Sequence, residues 1–255
     1  MKLQVLGCSG GIGGETARTT AFLVDDDILV DCGTGVGDLE LEALRRIDHI
    51  FVTHSHLDHI ASIPLLVDSV GEDRGYPVTV YATPETLRIL RSHIFNWLIW
   101  PDFTSIPDRH RPFLRFQPLK VGESVKFGAR TVTALPAHHT VPAVAYALDS
   151  GRSQLVYSGD TAYCPELIEA INALPAVRHM IIETAFSDEQ RGLAMASRHL
   201  CPSILVAMLE ELSVSPEVFI SHLKPGQGAR IMEQIAAGKG RLQPKPLTQG
   251  QIIEF

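Results

Sequence analysis

Residues 51–64 read FVTHSHLDHIASIP, with three histidines and an aspartate packed into positions 54–59 directly behind the apolar run HIFVT. A packed core would not take so many polar groups, and a solvated loop would not need them. A loop leaving the end of a buried strand, in contrast, presents several side chains to one point. Imidazole and carboxylate are good ligands for zinc and related divalent ions. His54, His56, Asp58 and His59 are therefore candidate metal ligands, and so short a segment can serve two adjacent ions.

Working outward, KLQVLG, TAFLVD, DILVDCG and HIFVTH each read as a strand bounded by turn residues. The segment GCSGGIGGETARTT lacks the GKS/T ending of a phosphate loop, and is either a flexible connection or a Gly-rich loop lining a site. PETLRILRSHIFNWLIW has helical spacing, with Leu87, Leu90, Ile94 and Leu98 on a shared face. The Pro-rich residues 101–118 then read as a long loop within the domain. Strands return in ARTVTALPAHH, AVAYALDS, SQLVYSGD, HMIIETAF and EVFISHLKPG, with helices in CPELIEAINAL and CPSILVAMLEEL. Strands and helices in mixed order across one core imply two packed sheets flanked by helices. One domain over 1–255, with a helical and loop insertion at about 84–118, accommodates the whole chain.

Composition narrows the function classes. A formal net charge of −7 over 255 residues disfavours a long nucleic-acid partner, which needs clustered Lys and Arg. A small anion at a metal centre is compatible with it. The four cysteines, Cys8, Cys32, Cys164 and Cys201, show no paired spacing and fit free thiols in a reducing compartment. No run reaches the length of a membrane helix, so a soluble, cytoplasmic protein is expected.

THSHLDH resembles the HxHxDH signature of the metallo-β-lactamase superfamily. That resemblance covers nearly the whole chain and implies an α/β (α+β) fold, the four-layer αββα sandwich. It also implies further ligands in order: His139 in HHTVPAVAY, Asp160 in YSGD and His222 in FISHLKPG. By analogy His54, His56 and His139 hold one divalent ion, Asp58, His59 and His222 hold the other, and Asp160 bridges them. His138 competes with His139 for its position. Zinc is the first expectation, with manganese and iron as alternatives. HSHLDHIASIPLL, HIFNWLIWPDF and ASRHLCPSILVAMLEEL are further similar to the class II 3′,5′-cyclic-nucleotide phosphodiesterases. Here Cys201 stands where that family usually has threonine.

The implied reaction suits these ligands. A water shared by two divalent ions loses its proton near neutral pH and can attack phosphorus in line with the leaving 3′ oxygen of cAMP or cGMP. The ions neutralise charge on the non-bridging oxygens. Similar phosphodiesterases of this superfamily pair a Glu and a His after the sheet, which makes His199 the candidate proton donor and Glu183 its orienter. The other reading makes Glu183 and His199 a structural hydrogen-bonded pair. Phe95, Trp97, Trp100 and Phe103 either stack a base or belong to the core, and the apolar stretch 93–103 would also suit a homodimer contact. His49, His110 and His179 read as surface or core histidines, and Cys32 as a buried small residue. Two rival functions are a tRNA 3′-processing endoribonuclease, whose HHTVPAVAY-like and YSGDTAYCPEL-like segments are also similar, and a non-hydrolytic metal-binding or redox module.

Overall fold

Short apolar runs become strands where both of their faces can be buried. In this structure, a computed structural model describing all 255 residues, the first half of the chain supplies six strands. They are β1 (Lys2–Gly7), β2 (Ala21–Val24), β3 (Ile28–Val30), β4 (His49–Phe51), β5 (Val78–Ala82) and β6 (Leu114–Pro118). The second half supplies β7 (Ser124–Phe127), β8 (Arg130–Pro136), β9 (Val144–Asp149), β10 (Gln154–Tyr157), β11 (Val177–Glu183), β12 (Glu217–Ser221) and β13 (Lys245–Pro246). A last strand, β14 (Ile252–Glu254), returns to the edge beside β1. The two mixed sheets therefore run β14-β1-β2-β3-β4-β5-β6 and β13-β12-β11-β10-β9-β8-β7.

Alternation along the strands sorts the core into three layers. Phe22, Val30 and Phe51 point between the sheets and meet Tyr146, Tyr157 and Phe219. Leu23, Leu29 and Ile50 point the other way, toward α1 (Leu41–Leu44), α2 (Leu57–Ile60), α3 (Ile63–Val70) and α4 (Pro84–Ile89). On the far side Val156, Ile182 and Ile220 pack against α5 (Pro165–Asn172), α7 (Pro202–Glu210) and α8 (Gly228–Ala237), with α6 (Arg191–Ser197) leading into α7. This is the four-layer αββα sandwich. No single helix is long and apolar enough to cross a membrane.

The topology delivers the polar segments to one edge. β3 and β4 are parallel, as are β10, β11 and β12, so their carboxyl ends open on the same side. Residues 53–59 follow β4, Asp160 follows β10, Glu183 ends β11 and His222 follows β12. β8 ends at Pro136 and releases His139 toward the same place.

Two expectations from spacing need correction. The run Leu87–Leu98 is not one helix: α4 stops at Ile89, a wider π-type turn covers Leu90–Ile94, and the chain leaves the helix at Phe95. The side-chain carbonyl of Asn96 accepts the N–H groups of Leu98 and Ile99 at 2.9 and 2.8 Å, which gives the backbone an alternative to helical bonding. The Pro-rich segment 101–118 is not loop throughout either. Its last five residues pair with β5 as β6, an edge strand where Pro118 removes no needed donor.

Candidate metal centre

The site begins with a carboxylate that sequence reading passed over. Asp31 follows β3 in a left-handed backbone conformation (φ 57°) and is fully buried. Its Oδ1 accepts the backbone N–H of Thr53 at 2.8 Å, and its Oδ2 accepts from His59 Nδ1 at 2.7 Å and from the Tyr157 hydroxyl at 3.3 Å. The Thr53 hydroxyl donates to Asp31 at 2.9 Å and lies 3.0 Å from His54 Nδ1, which can donate to it. One buried carboxylate thus sets the tautomers of two histidines and turns both Nε2 atoms toward the cavity. Such outer partners fix ring orientation and raise ligand basicity.

His139 is fixed differently. Its Nδ1 donates to the carbonyl of Arg198 at 2.9 Å, and the Arg198 guanidinium donates back to the His139 carbonyl at 2.7 Å. His139 Nε2 then faces His56 Nδ1 at 3.2 Å. His138 is exposed, and only its backbone turns inward, its N–H donating to the Thr161 hydroxyl and its carbonyl accepting the Ala162 N–H. Both histidines lie beyond the end of β8, so the following loop, not strand alternation, separates them.

Two donor sets share Asp160. Ligating atoms of His54, His56, His139 and Asp160 lie within 4.8 Å of one another, and so do those of Asp58, His59, Asp160 and His222. His54 Nε2 and His59 Nε2 are 3.7 and 3.4 Å from Asp160 Oδ2, and His222 Nδ1 is 3.3 Å from Asp160 Oδ1. His54 Nε2, His59 Nε2, His222 Nδ1 and Asp160 Oδ1 are all buried without a hydrogen-bond partner. Each such atom costs about 1–3 kcal/mol in a protein interior. Four of them converging on one point is the donor set of a divalent-ion site rather than of a core.

Electrostatics agree. Burial pushes His54 well down, His139 to about 4 and His222 to about 3, leaving neutral rings with a lone pair to offer. His59 moves the other way: burial opposes its charge, but Asp160 and Asp31 outweigh burial and hold a proton on it. A cation between Asp160 and His59 would take that proton's place. The residues present therefore fit two divalent ions.

His222 sits in a left-handed conformation (φ 59°), with its N–H donating to the Cys8 carbonyl at 2.7 Å. A Cβ on Gly10 would come within 2.4 Å of the His222 carbonyl oxygen. Only glycine permits that approach, so this part of the Gly-rich segment does line the site.

A family model for the beta-lactamase superfamily domain matches residues 26–241. The chain belongs to that superfamily. Among curated relatives, a probable 3′,5′-cyclic-nucleotide phosphodiesterase of Yersinia pestis is 27% identical over 76% of this chain and 64% of its own length. The chain thus spans somewhat under two thirds of that relative. A 3′,5′-cyclic-nucleotide phosphodiesterase of Aliivibrio fischeri is 26% identical over 98% of this chain and 86% of its own. A ribonuclease Z of Archaeoglobus fulgidus is 31% identical over 58% and 47%. Among solved structures, unliganded yeast PDE1 superposes with a TM-score of 0.81 at 20% identity, covering 98% of each chain, which shows a common fold. Superfamily membership and the donor cluster together support a metal-dependent hydrolase.

Beside the cluster of this superfamily member, Glu183 is fully buried at the end of β11. Its Oε1 accepts from His199 Nδ1 at 2.7 Å and from the Thr161 N–H at 3.2 Å, and its Oε2 accepts the Ala185 N–H at 3.0 Å. Arg198 ends α6 in a left-handed turn (φ 54°) that delivers His199 to this position. The His199 ring stacks on His222 with centroids 5.2 Å apart and meets His139 edge-on at 4.9 Å. The structure therefore brings His54, His56, Asp58, His59, His139, Asp160, His222, Glu183 and His199 together. It leaves His49, His110 and His179 outside, and places Phe95 and Phe103 in the core.

Proposed function

We propose that this chain hydrolyses 3′,5′-cyclic nucleotides, cAMP or cGMP, to 5′-nucleotides, with His54, His56 and His139 holding one divalent ion, Asp58, His59 and His222 the other, and Asp160 shared. Zinc suits this nitrogen-rich donor set, and manganese and iron are the alternatives. Bound there, two divalent ions make water acidic enough to attack phosphorus and neutralise charge on the phosphoryl oxygens. The chain's own task is the other half of the reaction. As the new P–O bond forms, the P–O3′ bond breaks, and the departing 3′ oxygen needs a proton. His199 supplies it from Nε2, while its Nδ1 is held by Glu183.

The observation that carries this reading is the buried, fully bonded Glu183 aiming one ring nitrogen of His199 away from itself, against the walls formed by His139 and His222. A binding or redox module has no use for a proton donor held at that place. The named activities of the Yersinia and Aliivibrio relatives support the same substrate class. The ribonuclease Z relatives favour a second reading, processing of precursor tRNA. The net charge of −7 weighs against it. Four free cysteines fit a reducing compartment such as the cytoplasm.

The test is direct. Purified protein, reconstituted separately with zinc and manganese, is assayed on cAMP, cGMP and a precursor tRNA. Turnover of a cyclic nucleotide without tRNA cleavage is expected. Cleavage of the tRNA with no cyclic-nucleotide turnover would transfer the chain to the second reading.

A further inference from the structure

We propose that Lys224 binds the phosphoryl group of the substrate and answers the negative charge gained when a phosphodiester becomes a phosphomonoester. The inference rests on the phosphodiesterase reading above and adds to it a residue with a charge-specific task. Lys224 stands two positions beyond the candidate ligand His222 and is half-buried. Its Nζ donates to the Gly10 carbonyl at 2.7 Å and pairs with no carboxylate. An ammonium has three donors, so two remain open. A cation drawn part-way out of water gains most from a counter-charge, and this chain gives it none.

The backbone around the lysine holds the ammonium in place. The His222 N–H donates to the Cys8 carbonyl at 2.7 Å and the Gly10 N–H to the Leu223 carbonyl at 3.1 Å, so residues 8–10 lie alongside 222–224. Gly11 packs so closely on Pro225 that a Cβ there would come within 3.1 Å of the proline ring. The ammonium is 5.9 Å from the centroid of the Phe186 ring, and that ring meets His199 edge-on at 5.6 Å. His199 in turn stacks on His222. Lys224 therefore belongs to the same wall as the proton donor and the second donor set.

The reaction changes the charge at this wall. A hydroxide oxygen bonds to phosphorus, the P–O3′ bond breaks, and the departing 3′ oxygen takes the proton of His199. Half-way, the phosphoryl group shares the charge of the diester and that of the hydroxide. The monoester that results sheds its hydroxyl proton near neutral pH and leaves doubly charged. A positive charge already in position favours that gain without reorganising. A lysine whose only task was to fasten the Gly10 loop would be indifferent to it.

The test is a binding measurement that needs no turnover. Zinc-loaded protein is titrated by calorimetry at mildly alkaline pH with inorganic phosphate, a dianion, and with dimethyl phosphate, a monoanion. Lys224→Met should weaken phosphate binding about 10–100-fold, the worth of a hydrogen bond to a charged group, and dimethyl phosphate binding far less. Lys224→Arg keeps the charge and should recover most of the loss, with metal content and melting temperature unchanged in both variants. On cAMP, Lys224→Met should lower kcat and kcat/KM together, the sign of an interaction made as charge develops. Failure of the cyclic-nucleotide reading would show separately, as wild-type protein inert on cAMP and cGMP that still prefers phosphate through Lys224. The proposal is overturned by a Lys224→Met variant that binds phosphate like the parent, or by Lys224→Arg no better than Lys224→Met. Equal losses on both anions, or losses that follow lost metal, would also overturn it and make Lys224 a fastener of the Gly10 loop.

Discussion

β3 and β8 each begin at one end of the sandwich and finish at the other, and the two ends treat charge in opposite ways. At the starting end, Arg130 donates to Asp25 at 3.0 Å and to both oxygens of Asp27 at 2.6 and 2.7 Å, which ties the sheets together. Every charge in that clamp has its partner. At the finishing end, Asp31 holds the His59 ring and, through Thr53, the His54 ring, and the Nε2 atoms of both face Asp160 with nothing to bond. The clamp is complete without any ligand, whereas the far end is arranged so that only a ligand completes it. Satisfied polar groups stabilise a fold modestly, and buried unsatisfied ones mark a place where something binds.

The sharpest way to break this contrast is at the shared carboxylate. Asp160→Ala should leave no turnover above background and lower the metal content measured by elemental analysis, because both donor sets lose a member. Full activity with two bound ions would refute the shared role. Next in size, His199→Ala should keep both ions and lose about 10²–10⁴-fold in turnover of a cyclic nucleotide, the range for general acid catalysis. An aryl phosphodiester, whose leaving group is stable as an anion, should lose far less. Equal losses on both substrates with a lowered melting point would make Glu183 and His199 a structural pair.

The outer partners come third. Asp31→Asn keeps the shape but weakens the hold on His59, so metal affinity should fall about 10–100-fold. His139→Ala should lose metal while His138→Ala retains it, and the reverse would exchange their roles. The smallest effect belongs to the other end. Arg130→Ala should leave metal content and turnover alone and lower stability by about 0.2–1 kcal/mol, as for other partly exposed ion pairs. Its signature is in acid. The Arg130 hydrogen bond holds the Asp27 carboxyl below its usual 3.8, so the clamp contributes fully above that value and fades as pH falls through the lowered one. The variant's unfolding curve should therefore depend less on pH in that range. A change in turnover instead would mean that the two ends are coupled.

The contrast also explains what the sequence made legible. His54 to His59 are contiguous, so their chemistry shows without a fold, and the order of His139, Asp160 and His222 followed from family resemblance. Asp31 did not show, because its partner His59 lies 28 positions away and only the parallel register of β3 with β4 brings them together. Its signal was a lone aspartate closing the strand in LVDCG, where only Cys32 had been weighed. The 95–100 loop was hidden for another reason. Helical spacing continues through Leu98, and nothing in periodicity reveals that Asn96 will take two backbone N–H groups for itself. The edge strands β7, β13 and β14 are short or half polar, and their sequences carry little alternation to read.

The position of His222 against Gly10 has a consequence for how the protein is made. On the ribosome, the donor set of His54, His56 and His139 has its shared carboxylate as soon as residue 160 emerges. The second set waits for residue 222, roughly sixty residues and roughly 3–12 s later at about 5–20 residues per second. It also waits for the strand before that histidine to dock beside Gly10, a residue made far earlier in the chain. A nascent chain therefore carries every member of one donor set well before it carries every member of the other.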